Sequence, residues 1–401
     1  KACANYGEIK QLNDWAYGSG GIIGHVKSNS LKDLMTADST PNEVRVYGAV
    51  NYGDITTALS NIGGIVGMTD DSAGNIALLE IVGCTNNGDL LATGGNNVGG
   101  IVGQTPGMIV NIIDCVNNGY VRSIDNECGG IYGRSYAGKG VLTIDGCVNN
   151  GRVEATKWAG GIASGVQEVG TANVTNCVNN GIVVTTMNDA GGVAAIVSCI
   201  DKGKISNCTN NGIAAAVEAK QTARDVRSAN DPENPTVIKD NAEKGAAVSD
   251  SALIAKLQAL YGVSAYADAA VYAEVVKAVA AGTGIDEAIA KLTYAEGFVS
   301  TTILAVSIAE AEDFAEADYT AATWAPFKAA LDAAKAALAA DNQAAVDAAV
   351  KALATAKASL INISALNAAI EDAGKLKEAD YTAASWTAAK IATVVEAAKA
   401  A

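Results

Sequence analysis

The most reactive side chains in this sequence are eight cysteines and one histidine. Six of the cysteines fall in one recurring slot: CVNNG stands at 115–119, 147–151 and 177–181, CTNNG at 84–88 and 208–212, and CANYG at 3–7. A zinc site wants CxxC or mixed Cys/His spacing, and His25 has no second imidazole to join it. Glycoside hydrolysis wants two carboxylates about 5 to 10 Å apart, and the acidic residues read as scattered over the coils without a paired cluster. The residue after the pentad's glycine runs Glu8, Asp54, Asp89, Tyr120, Arg152, Ile182, Ile213. That reads as a variable exposed position rather than a calcium cage. No catalytic, metal or cofactor set is therefore expected. One aromatic candidate remains. Trp158 lies two residues before Gly160, in a slot filled elsewhere by Gly18, Asn61, Asn97, Glu127 and Asp189. With Tyr132 and Tyr136 as neighbours it could stack on a sugar face; a surface aromatic without a ligand is the competing reading.

The elements that position these residues follow from the period. With AVNYG at 49–53 there are seven pentads, the last five starting 31, 32, 30 and 31 residues apart. A second signature alternates with them: GGIIG at 20–24, GGIVG at 63–67 and 99–103, GGIYG at 129–133, and the weaker GGIA at 160–163 and GGVA at 191–194. Val46, Ile81, Ile112, Ile144, Val174 and Ile205 stand three residues before the Cys slot, and Val44, Leu79, Val110 and Leu142 five before it. A spacing of two is one face of a strand. Ile9, Ile55, Leu90, Val121, Val153 and Val183 give another inward point after each turn. The fold predicted for 1–213 is a parallel β-solenoid (β-helix) of about seven coils, three short strands each, in which every ~31-residue coil buries its face against its neighbours. Seven coils at about 4.8 Å make a rod about 30 Å long.

In this frame Cys84, Cys115, Cys147, Cys177 and Cys208 form a buried column of small apolar fillers, Ala49 taking the same slot. Cross-coil disulfides are the alternative, since about 4.8 Å lies within Cα range. Cys128 also reads as buried; Cys199 has no counterpart. Asn86, Asn117, Asn149, Asn179 and Asn210, with Asn5 and Asn51, would stack amide on amide. The pentad's glycine is expected at a positive-φ corner.

Repeated GG[IV]xG alternating with CxNxG resembles the GLUG-type repeat of large bacterial surface proteins, including adhesins and the non-catalytic parts of IgA-cleaving metalloproteases. The likeness covers about 1–213, with Ile where the family has Leu after GG. The metalloprotease HExxH motif is missing, so no activity is carried over.

Beyond 213 the period stops. The polar stretch 214–243, with DPENP at 231–235, reads as a linker. Residues 244–301 read as a small helical unit, with Ser249 or Ser251 as an N-cap. ADYTAATW at 317–324 recurs as ADYTAASW at 379–386, and Thr323 and Ser385 are expected to cap the helices that follow. Residues 302–361 resemble the FIVAR module, a three-helix bundle of Gram-positive surface proteins, and 362–401 a second copy lacking its third helix. Tyr319, Trp324, Tyr381 and Trp386 read as helix-start anchors before ligand stackers.

Acidic residues outnumber basic ones 43 to 28, a formal charge of -15, which argues against nucleic acid as a partner. No apolar run approaches the roughly 20 residues of a membrane span. The chain opens inside a repeat and is expected to be part of something longer. The functional expectation is a non-enzymatic, structural or adhesive segment of a bacterial cell-surface or secreted protein, with host or microbial glycans or surface proteins as partners. A glycan-binding module of a larger carbohydrate-active enzyme or protease comes second, and a β-helix lyase or hydrolase third. Unpaired thiols in an exported protein would suit an anaerobic source.

Overall fold

The apolar residues spaced two apart before each Cys slot form one strand per coil, and their rows are the register of the sheet: Val46, Ile81, Ile112, Ile144, Val174 and Ile205 pair in sequence. The computed structural model describes residues 3–11, 18–27, 42–70, 76–138, 140–167, 170–185, 192–226 and 236–400. The chain divides into Lys1–Phe298 and Val299–Ala401.

The first unit carries a parallel β-solenoid. Each coil contributes five strands rather than three, for example Asn42–Tyr47, Val50–Asn51, Ile55–Thr57, Ile62–Gly63 and Val66–Asp70. Successive coils pair in parallel to make five sheets of seven or eight strands. Several strands span only two residues, too short for an alternation pattern to reveal. The interior holds two apolar clusters, with Ile81, Ile101, Ile112 and Ile131 in one and Leu90, Val98, Val121 and Val153 in the other.

Two features of the corners differ from expectation. Positive φ falls one residue before the Cys slot, at Gly48, Gly83, Asp114, Gly146, Asn176, Asn207 and Asp240. Only residue types that tolerate the left-handed region occur there. The pentad's own glycine serves close packing instead: a Cβ at Gly119 would run into the Gly88 carbonyl of the adjacent coil. The corner aligned as GGVA at 191–194 is also displaced, because Gly160 pairs with Ala194. That coil turns through Ala194 and Ala195, and Val193 aligns with Ala159.

The stretch read as a linker is an additional coil. Glu218–Lys220, Ala223–Val226, Val237–Lys239, Ala242–Glu243 and Ala246–Val248 all pair in parallel with the preceding coil. Thr209 pairs with Ala242 and Asn210 with Glu243, so NAEKG at 241–245 is an eighth pentad with Asn in the Cys slot and Glu in the Asn slot. DPENP lies outside the described residues.

Helices α1 (Ser251–Leu257), α2 (Ala269–Ala281) and α3 (Ile285–Ile289) complete this unit. The N-cap of α1 is Asp250, which accepts from the Leu253 amide at 2.8 Å, in place of either serine. A carboxylate is a strong cap and also meets the positive end of the helix dipole.

In the second unit, α4 (Thr302–Glu312), α5 (Ala321–Ala337) and α6 (Gln343–Ala358) pack around Leu304, Ile308, Phe327, Ala334, Val346 and Leu353. The helices α7 (Ser364–Gly374), α8 (Ala383–Ala389) and α9 (Ile391–Ala400) follow. Thr320 and Thr382 occupy the cap positions, three residues ahead of Thr323 and Ser385, whose hydroxyls lie 2.8 Å from theirs. Trp324 therefore sits inside the first turn of α5, tilted against Phe327 with centroids 5.2 Å apart.

Candidate functional site

The second pentad position after the Cys points inward. Asn86 Nδ2 donates to Asn117 Oδ1 at 2.8 Å, Asn117 to Asn149 at 2.9 Å, Asn149 to Asn179 at 2.9 Å and Asn179 to Asn210 at 3.0 Å. Each amide also donates to the carbonyl of its own pentad's glycine, for example Asn117 to Gly119 at 3.0 Å. A Cβ at Gly100 would lie 2.6 Å from Asn117 Cγ. That contact explains why the GG and CxNxG signatures keep step. Where the eighth coil lacks the asparagine, Gln221 Oε1 accepts from Asn210 Nδ2 at 3.1 Å and ends the ladder. The column Cys84, Cys115, Cys147, Cys177 and Cys208 is buried beside it, and none of these five thiols is in a disulfide. Burial also pushes the Cys128 thiol up. These groups are scaffold.

The aromatic candidates separate. Tyr132 is fully buried in the interior, its hydroxyl 2.6 Å from Thr105 Oγ1, and it offers no face to a ligand. The reason is its place in GGIYG, where it aligns with the inward Val102. Trp158 is half-buried, in register between Glu127 and Gly192. Its slot is not the exposed one expected, because Asn97 and Glu127 there are buried. Burial raises the Glu127 carboxyl, against the pull of Arg134, whose Nη1 lies 3.1 Å away. Tyr136 belongs to the strand Tyr132–Gly138, and its side chain lies outside the described residues.

A row that the motif contains but residue chemistry did not single out faces outward. The fourth pentad position carries Tyr6, Tyr52, Asn87, Asn118, Asn150, Asn180 and Asn211. Tyr6 and Tyr52 are exposed and stack with centroids 4.8 Å apart and planes 5° from parallel. Beyond them Asn118 donates to Asn87 at 2.8 Å, Asn150 to Asn118 at 2.9 Å, Asn180 to Asn150 at 2.8 Å and Asn211 to Asn180 at 2.8 Å. An amide has two N–H donors and a two-lone-pair oxygen, so each interior member keeps one donor and one acceptor. The row thus presents polar edges at the coil repeat. The signal for it was the Tyr or Asn before the glycine of each of the first seven pentads.

The next position, expected to be exposed, changes along the rod. Glu8 and Asp54 are exposed, whereas Tyr120, Arg152, Ile182 and Ile213 are buried. The helical segment covers Arg152. Arg152 Nη1 donates to the carbonyls of Leu257 at 3.3 Å, Leu260 at 2.6 Å and Gln258. Its Nε donates to Glu154 Oε2 at 3.0 Å, Arg122 pairs with Glu154 Oε1, and Tyr120 donates to Glu154 Oε2 at 2.6 Å. Burial alone would raise the Glu154 carboxyl, but Arg122 and Arg152 hold it down to about 2. Ser264 Oγ ties the segment to the Asn118 carbonyl at 2.6 Å.

No protein-family model, curated protein or solved structure matches this chain. The geometry carries the functional argument by itself. Among the described residues no group of three or more His, Cys, Asp or Glu is placed to hold a metal, and no helix is long and apolar enough to cross a membrane. Where α2 runs beside the outer row, a groove of about 440 Å³ opens, lined by Asn150, Asn180, Asn211, Lys244, Tyr272 and Lys277 among others.

Proposed function

We propose that the chain is a non-enzymatic display segment of a bacterial cell-surface or secreted protein, whose solenoid holds a linear glycan-binding row. The resemblance of its motifs to GLUG-type repeats and FIVAR modules supports the surface setting. The observation that carries the binding role is the outward row Tyr6, Tyr52, Asn87, Asn118, Asn150, Asn180, Asn211. Planar polar groups repeat along it at the coil spacing and are bonded to one another. Such a row has its rotamers fixed in advance, which cuts the ordering cost of binding. Sugar hydroxyls, which both donate and accept, suit amides with one donor and one acceptor to spare.

A screen of the whole chain against immobilised host and microbial glycans tests this. Saturable binding is expected, weakened about tenfold in Tyr6→Ala/Tyr52→Ala through two lost hydroxyl partners. No binding to any glycan, or binding indifferent to those changes and to Asn118→Ala, would contradict it. The surface setting is tested separately by fractionating source cells: recovery of the parent protein from the cytosol alone would overturn it.

A further inference from the structure

We infer that the groove between the outer amide row and α2 is a binding site for an acidic oligosaccharide. This rests on reading the row as a binding face, and adds the ligand's charge and the end at which it is held. The floor is Asn150, Asn180 and Asn211, whose mutual hydrogen bonds leave donors and acceptors for sugar hydroxyls. The wall supplies Tyr272, which is 3% exposed and whose hydroxyl has no hydrogen-bond partner among the described residues. A buried hydroxyl left unpaired is costly, so a native one calls for a partner from outside. Lys244 and Lys277 also line the groove. They bring two ammonium groups to one side of a chain whose formal charge is -15, although Glu274 pairs with Lys277 at 2.7 Å. A carboxylated sugar matches that inversion of charge. An extended peptide would need a free strand edge, and the strands along the floor, Val148–Asn149, Val178–Asn179 and Thr209–Asn210, are paired on both sides. The groove's size is that of a site for a short stretch of chain.

The test is calorimetric titration of the intact protein with a galacturonate tetramer, and with cellotetraose as the uncharged control. Saturable binding of the uronate is expected, with weaker or no binding of the neutral sugar. Tyr272→Phe keeps the ring and removes only the unpaired hydroxyl. It should leave thermal unfolding unchanged or raised, and weaken uronate binding about fivefold. Lys244→Gln/Lys277→Gln should weaken it about tenfold or more, and added salt should do the same to the unmodified protein. Lys256→Gln, an exposed cation on α1 outside both the row and the groove, should leave it intact. Absence of saturable uronate binding, equal affinity for cellotetraose, or indifference to both groove variants would overturn the inference. If Tyr6→Ala/Tyr52→Ala abolishes uronate binding while Tyr272→Phe does not, the ligand lies on the open row. The groove assignment then fails and the row reading survives.

Discussion

The guanidinium of Arg152 lies over the ring of Tyr120, 5.2 Å from its centroid, while its Nε reaches Glu154 Oε2 at 3.0 Å. Tyr120 and Arg152 belong to an outward row that is acidic at Asp54 and Asp89 and apolar at Ile182 and Ile213. Within that row Arg152 marks where the helical segment meets the solenoid. Arg152 is its central peg, since it closes three carbonyls around the end of α1. Arg152→Met strips Glu154 of one partner in a buried setting. It should cost about 3 to 5 kcal/mol in urea unfolding and open 249–298 to proteases. Arg152→Met/Glu154→Leu should recover part of that loss, because no buried carboxylate then stands underpaired.

Acid should act on two buried glutamates with opposite sign. Glu154, held down to about 2, contributes stability that is complete above its unfolded value of about 4.3 and is lost as pH falls from there to about 2. Glu127 is raised, so its ionisation weakens the fold at neutral pH, and that penalty shrinks as pH falls below its folded value and is gone below its unfolded value of about 4.3. Urea midpoints across this range should show Glu154→Gln destabilising most near neutrality. Glu127→Gln should be stabilising there and without effect in acid.

The inner ladder should be most sensitive at its centre. Asn117→Ala removes partners from both Asn86 and Asn149, which are buried, and should cost about 2 to 4 kcal/mol. Asn5→Ala, at the half-buried end, should cost less than half as much. Chemical denaturation of the two variants side by side checks the ratio.

Thiol labelling should follow burial. Cys3 is exposed and the other seven cysteines are buried. Cys3 should react with a disulfide reagent at once. Cys84, Cys115, Cys147, Cys177, Cys208 and Cys128 should react only as fast as the protein unfolds, because buried thiols are inert.

The apolar rows, the Cys column and the Asn ladder were legible because one coil repeats and inward positions are spaced by two. The eighth coil was not. With Asn241 for Cys and Glu243 for Asn, its pentad loses both marks, although Gly245 remains. Tyr132 looked like a ligand-stacking residue only because GGIYG differs from GGIVG by one large side chain, which the interior accommodates at the Val102 row. Burial of Arg152 could not be read from the repeat, because what buries it arrives from Leu257 to Leu260, more than a hundred residues later. The outer row was visible as letters, yet its stacking depends on register that only the coil geometry supplies.

The central claim is that the outward row from Tyr6 to Asn211 acts as one binding track. Its most direct test is affinity measured against oligosaccharide length, using the glycan that binds best. A track with equivalent groups about every 4.8 Å predicts affinity that climbs with each added sugar and levels off once the row is covered. Affinity independent of length, or no binding at any length, would contradict it.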